Sequence, residues 1–453
     1  MTKTTFCKVA VLGSLLLASA IAQARVDAGT AARLQTDLTP IGAERAGNQD
    51  GSIPAWDGGL RATPAAYEDG RGYVDPYADD QPLYSVSAAN AEGFSDRLSP
   101  GQQAMLRRYS STWKLQVYPS RRSASFPQAV YDAALSNAQS AELTDNGNGV
   151  AGMKVAVPFP VPQSALEVLW NHLTRYRGES VKRYYAQATP QPDGNYFMTR
   201  IEDYFLFNQW AGDSAVDNGN ILFYFRQSVV APTRLAGMEL LVHETVNQVS
   251  EPRMSWIYAS GQRRVRRAPN VAYDSPGTAS DGMRTTDNFD MFSGAPDRYD
   301  WELMGKKEML IPYNNYRLAD KRNRYADIVQ PGHINPELPR YELHRVWHVR
   351  ATLKAGQRHL YKQRDMYFDE DSYQLVVVDH YDNRDQLWRL GESYTINLYD
   401  QPLVWTKGDA VYDLLSGRYV IGLLSNEEPR EQFATGLQPS DFTPAQLRRD
   451  SRR

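Results

Sequence analysis

From about Lys182 to Leu424, apolar residues recur at every second position in one short run after another, with turn residues between the runs. That period belongs to strands, whose side chains point alternately to two faces. The candidate strands are Tyr196–Phe207, Ile221–Val230, Met238–Val246, Met254–Tyr258, Tyr341–Leu353, Arg364–Phe368, Leu375–Tyr381, Tyr394–Leu398 and Tyr419–Leu424. Ala231-Pro232-Thr233 predicts a hairpin turn, and Asp382-Asn383-Arg384-Asp385 another that leads into Leu387-Trp388-Arg389. Consecutive strands with short turns and few helices between them predict an antiparallel meander rather than βαβ units. No repeat of 20–50 residues is present, which argues against a solenoid or propeller.

Upstream of this region the pattern is different. Lys3 and Lys8 precede an apolar run from Val9 to Ala22, and Ala22-Gln23-Ala24 is an A-x-A cleavage site. These features predict a secretory signal peptide over 1–24, cleaved after Ala24, and a mature periplasmic chain. Residues 25–95 are heavily punctuated by Gly, Pro, Asn and Asp, and read as an extended arm anchored by Trp56 and several tyrosines. The remaining 96–453 form one domain. Ser99-Pro100-Gly101-Gln102 predicts a helix start, with Met105, Leu106, Tyr109 and Trp113 on one face. Further helices are expected over Pro127–Leu143 and Gln163–Tyr176, and a short basic one after Thr443-Pro444.

Several function classes are disfavoured by composition. The only cysteine, Cys7, lies inside the predicted signal, so a mature chain would have no disulfide, thiolate nucleophile or Cys-bound zinc. A formal charge of −3 becomes about −5 once Lys3 and Lys8 are removed, which favours neither nucleic acid nor an anionic surface. The 28 tyrosines and 9 tryptophans suit half-wet strands, clefts and interfaces.

The motif-like segments mostly fail on context. Gly147-Asn148-Gly149-Val150-Ala151-Gly152 matches G-x-G-x-x-G, but it follows a predicted helix and precedes a proline-rich stretch, so it reads as a loop. Asp145-Asn146-Gly147 has no side-chain oxygen at the third position of a calcium loop. His243-Glu244 is followed by Asn247 where a zinc helix would carry its second histidine. His344 and His348, four apart on a strand, stand about 13 Å apart and do not share an ion. The acids Asp281, Asp287, Asp290, Asp297 and Asp300, and the run Asp369-Glu370-Asp371, read first as turn and cap residues. Arg263, Arg264, Arg266 and Arg267 predict an exposed edge that contacts a partner or a lipid headgroup. No catalytic residue, metal ligand or cofactor site is assigned.

Segments spread along the chain carry a family resemblance. They are Leu38 to Asn48, Ile53-Pro54-Ala55-Trp56 with Gly58-Gly59, Arg263 to Pro269, Tyr273 to Thr278, Gly294 to Tyr299, Pro312-Tyr313-Asn314, Asp369 to Ser372 and Asp409 to Asp413. Together they resemble the uncharacterised proteobacterial family of outer-membrane lipoprotein-sorting-like proteins, which is similar in fold to the periplasmic lipoprotein-localisation carriers. Asp385 stands where that family suggests a glycine, and Tyr373 where it suggests tryptophan. The resemblance implies an α+β, β-dominated fold: a strongly curved antiparallel sheet, an incomplete barrel, closed by helices around an apolar cavity. It also implies an envelope exporter of the resistance-nodulation-division type and an outer-membrane barrel protein as partners, with no cofactor and no enzymatic activity.

The expected function is therefore a periplasmic carrier or chaperone for a lipid, a lipoprotein acyl chain or an apolar exported metabolite. It would work beside an exporter, in association with the outer membrane. Trp256, Tyr258, Trp347, Tyr367 and Tyr381 are the expected ligand-binding residues. The Asp/Gly-rich insertion at 269–318 is expected to form an ordered cover or docking surface. Two other readings are a docking component with a collapsed cavity and, more weakly, a hydrolase or carbohydrate-binding protein using clustered Asp and Tyr.

Overall fold

A computed structural model describes residues 26–208, 219–259, 261 and 263–450. The predicted signal segment and its cleavage site lie outside these residues. The period-two runs form strands, and the observed elements extend and complete them. In chain order the strands are β1 (Tyr84–Val86), β2 (Leu115–Val117), β3 (Glu142–Thr144), β4 (Gly149–Ala151), β5 (Ser180–Ala188) and β6 (Met198–Phe207). They continue with β7 (Ile221–Ala231), β8 (Glu239–Thr245), β9 (Met254–Ala259), β10 (Arg264–Arg267), β11 (Tyr299–Pro312) and β12 (Tyr341–Leu353). The last six are β13 (Gln363–Asp369), β14 (Leu375–Tyr381), β15 (Leu387–Leu398), β16 (Leu403–Asp413), β17 (Tyr419–Leu424) and β18 (Gln432–Phe433). Among the described residues six α-helices accompany them: α1 (Ala28–Ala32), α2 (Pro100–Arg108), α3 (Gln128–Ser140), α4 (Ala165–Leu173), α5 (Tyr325–Ile328) and α6 (Pro444–Asp450).

Two meanders, β5 to β10 and β11 to β17, join where β17 pairs with β5 to make one sixteen-stranded sheet. Pairing is antiparallel throughout, apart from a parallel bridge between Tyr341 and Val117. Register shifts interrupt the ladders at Leu303/Gly305, Tyr367/Phe368, His380/Tyr381, Tyr394/Thr395 and Arg200/Ile201. Each is a place where a strand bends and twists more strongly, so the sheet curves. Among the described residues β10 pairs only with β9. The barrel is incomplete, with β10 as its open edge.

Gly147–Gly152 is not a simple loop. It forms the tip and second strand of the β3–β4 hairpin, where Asn146 and Gly147 take positive φ. The Asp/Gly-rich insertion also ends early. It runs as irregular chain to Arg298, and from Tyr299 the chain forms the 14-residue strand β11 against β12.

One side of the sheet is packed by α2 and the C-terminal helix, while the arm reaches both sides: Ile53 joins the α2-side core, and Leu60, Tyr67, Tyr73 and Tyr77 pack against the core on the α4 side. The start of α2 is the capping box read from the sequence. Ser99 Oγ accepts the Gln102 N–H at 3.1 Å, and Gln102 Oε1 accepts the Ser99 N–H at 3.0 Å. Met105 and Leu106 are buried in the same core cluster as Leu390 and Tyr341. Phe442 and Leu447 cover Leu206, Tyr224, Leu241 and Tyr258. In the arm, Gly42 has φ +97, and a Cβ there would lie 1.5 Å from the Pro160 carbonyl oxygen. Only glycine fits that position.

Under the first turn of α2 lies Asp379, fully buried, with Ser99 Oγ donating to its Oδ1 at 2.9 Å. Burial pushes its carboxyl up to about 7; the Gly101 N–H and Ser99 pull it down, and Asp365 and Glu392 push it further up. Lys307, Tyr367 and Tyr381 also face it. A carboxyl raised in the folded state stabilises fully below its unfolded value of 3.8, and that contribution is lost as pH rises through about 7. Unfolding in urea should therefore show stability falling from pH 5 to pH 8, with Asp379 contributing on the order of 2–3 kcal/mol. Asp379→Asn should shrink that slope. An unchanged slope would show that Asp379 is ionised throughout.

Candidate functional site

Register fixes which side chains share the face of the sheet opposite α2. Phe205 pairs with Phe225, Phe225 with Val242, and Val242 with Ser255, so these residues point the same way. On the other meander, Met366 and Val378 pair and face the same side, as do Arg364 and His380. Two pieces fill this face. Helix α4 sets Val168, Leu169 and Trp170 in one core cluster with Met366, Phe368 and Val378. The segment from Ala268 to Arg298 lies across the rest.

Asp281, Asp287 and Asp290 of that segment are ion-pair anchors. Asp287 Oδ2 accepts from Arg364 Nη2 at 2.7 Å, and His359 Nε2 lies 3.0 Å from the same oxygen. Asp290 accepts from Arg175 at 2.6 and 2.7 Å and from Arg177 at 2.9 Å. Burial opposes ionisation of both carboxyls. Arg364 with His359 in one case, and Arg175 with Arg177 in the other, nevertheless hold them well below the usual range. Asp281 pairs with Arg418, and the Tyr273 hydroxyl donates to Asp297 at 3.1 Å. Arg284 of the segment reaches back to Asp409 of β16 at 3.0 Å. In the sheet, Arg389 donates to the Met283 and Gly282 carbonyls, both at 3.0 Å.

Between this cover and strands β5, β7, β8 and β9 lies a cavity of about 320 Å³. Its walls include Phe223, Phe225, Leu240, Val242 and Ile257 from the sheet and Phe289 from the cover. Phe289 is held by ring contacts with Phe205 at 6.0 Å and Phe225 at 5.4 Å. Polar groups interrupt the apolar lining: Gln187, Gln227, the Glu244–Arg253 ion pair at 2.5 Å, and Arg284. Met238 lines the cavity and is 41% exposed, which marks where it opens to solvent. An apolar pocket with a few placed polar groups is the usual form of a small-molecule site.

None of the five aromatics expected to bind ligand lines this cavity. Trp256 and Tyr258 lie on the opposite face of β9, in the cluster covered by the C-terminal segment. Tyr367 belongs to the α2-side core, stacked on His348 at 4.6 Å. Tyr381, at the end of β14, shares that face with Asp379. Trp347 alone is on the same face of the sheet as the cavity, where it pairs with Phe368 and lies under Lys306 at 4.6 Å, away from the cavity. Missed from the sequence were Phe223, Phe225, Leu240 and Val242, all within predicted strands, and Phe289, in the flagged insertion.

Arg263, Arg264, Arg266 and Arg267 are exposed on the open edge, with Arg263 in the turn at φ +49. Arg266 pairs with Ile257, a cavity residue, while Arg267 lies over the Trp256 ring on the other face at 5.8 Å.

His344, Asp369 and Asp371 bring potential ligand atoms within 4.8 Å of one another. Arg122 grips both oxygens of Asp371, at 2.6 and 2.8 Å, and also donates to the Glu44 carbonyl at 2.8 Å. Ser372 and Tyr313 donate to Asp369 at 2.5 and 3.3 Å. His344 Nε2 lies 3.0 Å from Glu342, which also accepts from Arg340 at 2.5 Å. These contacts make the group a buried network that ties the arm to β12 and β13. His348 is spent on Asp365 at 2.8 Å.

The family model described as Protein of unknown function (DUF1329) matches residues 85–448. An uncharacterized protein of Pseudomonas aeruginosa is 54% identical over 443 residues, 97% of each chain. Among solved structures, an outer membrane lipoprotein-sorting protein domain from Vibrio parahaemolyticus aligns with TM-score 0.44 and 14% identity, over 63% of this chain and 98% of that one. A DUF1329 family protein from Desulfovibrio piger gives 0.42 and 14%, over 60% and 92%. A LolA superfamily protein from Nitrosomonas europaea gives 0.38 and 11%, over 62% and 97%.

Proposed function

This chain belongs to the DUF1329 family, and for it we propose the role of a non-enzymatic periplasmic carrier that holds a hydrophobic cargo under a removable cover. The observation that carries this reading is the cavity between Phe225, Val242 and Phe289, walled by the sheet and roofed by 268–298. An acyl chain gains about 0.8 kcal/mol for each CH₂ it buries there. The polar groups and Met238 at the opening suit an amphiphile better than a bare hydrocarbon. No helix among the described residues is long and apolar enough to cross a membrane. The periplasmic location rests on the predicted signal segment.

The exposed arginines of β10 favour a second element of the reading. An open strand edge with positive charge beside the cavity is a surface on which an exporter, an outer-membrane barrel or a lipid headgroup would dock. Against the hydrolase reading, Asp287, Asp290 and Asp281 of the insertion are held by Arg364, Arg175, Arg177 and Arg418.

Titration with a dansyl-labelled fatty acid tests the carrier reading. The expected result is a blue-shifted emission that saturates at one probe per chain and is reversed by unlabelled lipid. Emission that stays at its value in water would overturn it.

A further inference from the structure

Beside the main cavity, and sharing Tyr185, Arg284 and Phe289 with it, is a recess of about 30 Å³ lined by Arg175, Arg177 and Arg183. Charge in its wall does not balance. Arg183 pairs with Asp203 at 2.7 Å and Arg284 with Asp409 at 3.0 Å, while Arg175 and Arg177 share the single carboxylate of Asp290. Lys407 and Glu431, close by, pair with each other. Four guanidinium groups therefore face three carboxylates.

The excess falls on Arg177. Arg175 takes both oxygens of Asp290, leaving Arg177 one bond to Oδ2 at 2.9 Å and one to the Leu173 carbonyl at 3.2 Å. The Arg177 Nε is buried without an acceptor, and the residue is 8% exposed. Its guanidinium lies over Phe207 at 4.7 Å and Phe223 at 5.5 Å. Phe223 also lines the main cavity. Burial, and then the neighbouring Arg175, lower its pKa to about 9. An undercompensated buried cation is costly, and an arriving anion would repair it.

We propose that the cargo is a long-chain carboxylate, whose head is received at Arg177 in the recess while its alkyl chain lies along the Phe225–Val242 wall. This assignment rests on the carrier reading. At about 30 Å³ the recess is roughly a tenth of the main cavity of about 320 Å³, which suits a small anionic head such as a carboxylate. The planar fork of arginine also matches a carboxylate directly.

Calorimetric titration of the full mature chain at pH 8 with dodecanoate, dodecanol and dodecyl phosphate tests the proposal. Dodecanoate should bind at least about tenfold more tightly than dodecanol, the value of one charge-assisted contact. Arg177→Met should erase that difference while leaving dodecanol affinity unchanged, and Arg177→Lys should keep part of it. Equal binding of acid and alcohol by the wild type would overturn the carboxylate site and leave the carrier reading standing. Dodecyl phosphate binding as tightly as dodecanoate would also overturn the carboxylate assignment. Failure of all three to bind would overturn both readings. If Arg177→Met does not fold, the wild-type comparison and Arg177→Lys decide.

Discussion

Asp287→Ala should lower stability by about 3–5 kcal/mol, the largest loss expected from any single change in the cover. The carboxylate accepts from Arg364 at 2.7 Å and lies 3.0 Å from His359, and the Thr285 hydroxyl donates to its other oxygen at 2.6 Å. Arg364 is completely buried, and its Nε and Nη1 have no other acceptor. Removing Asp287 leaves a guanidinium charge with no counter-ion among Phe292, Tyr299 and Tyr361, whose rings lie 5.0 to 5.2 Å away. The damage comes from that stranded charge, so Asp287→Ala combined with Arg364→Met should recover much of the loss. Urea unfolding measures the energies, and proteolysis within 268–298 reports release of the cover. A loss below about 1 kcal/mol would mean that Asp287 does not anchor the cover. Because the Asp287 carboxyl is held below its ordinary value, its contribution is present above pH 3.8 and fades only in stronger acid.

Val242→Trp should abolish cargo binding while leaving the fold in place. Val242 is 5% exposed, lies between Phe225 and Ser255 in the sheet, and forms part of the cavity wall. An indole there occupies the space an acyl chain would take. In a close-packed core such an enlargement costs about 1–3 kcal/mol, and here the cavity absorbs part of it. Affinity for the dansyl fatty acid should fall by at least about a hundredfold, the equivalent of a few buried methylenes. Trp256→Ala, on the opposite face of β9, serves as the control: it should reduce stability and leave affinity unchanged. Loss of binding in Trp256→Ala with retention in Val242→Trp would place the cargo on the other side of the sheet.

Much of the scaffold was legible because period-two alternation and cap residues are local signals. The strands Tyr341–Leu353, Leu375–Tyr381 and Tyr419–Leu424 have the boundaries read from the sequence, and the Ser99 capping box starts its helix where expected. Asp385, where the resemblance suggested glycine, takes φ +61 at the hairpin tip, which Asp tolerates. Strand β11 was hidden by its lysines and by Gly305, which sits at φ +108 beside a register shift. The inward face was also illegible. In β14 to β17 nearly every residue is buried, because α2 and residues 318–334 cover one side while α4, the arm and the insertion cover the other. Alternation then no longer separates inside from outside. Large aromatics such as Trp256 and Tyr258 marked the packed layer under the C-terminal helix, whereas the cavity is lined by Phe223, Phe225 and Val242. The ion pairs of the cover could not be read at all. Asp287–Arg364 and Asp290–Arg175 join residues 77 and 115 positions apart, and no local pattern records them.

Native mass spectrometry of the exported protein, purified without denaturant from the envelope fraction of its own cells, tests the carrier account most directly. The account predicts a mass excess of one amphiphile per chain that disappears on denaturation and is missing from Val242→Trp. A wild-type chain that flies at its bare mass, and stays bare after incubation with fatty acid, would contradict it.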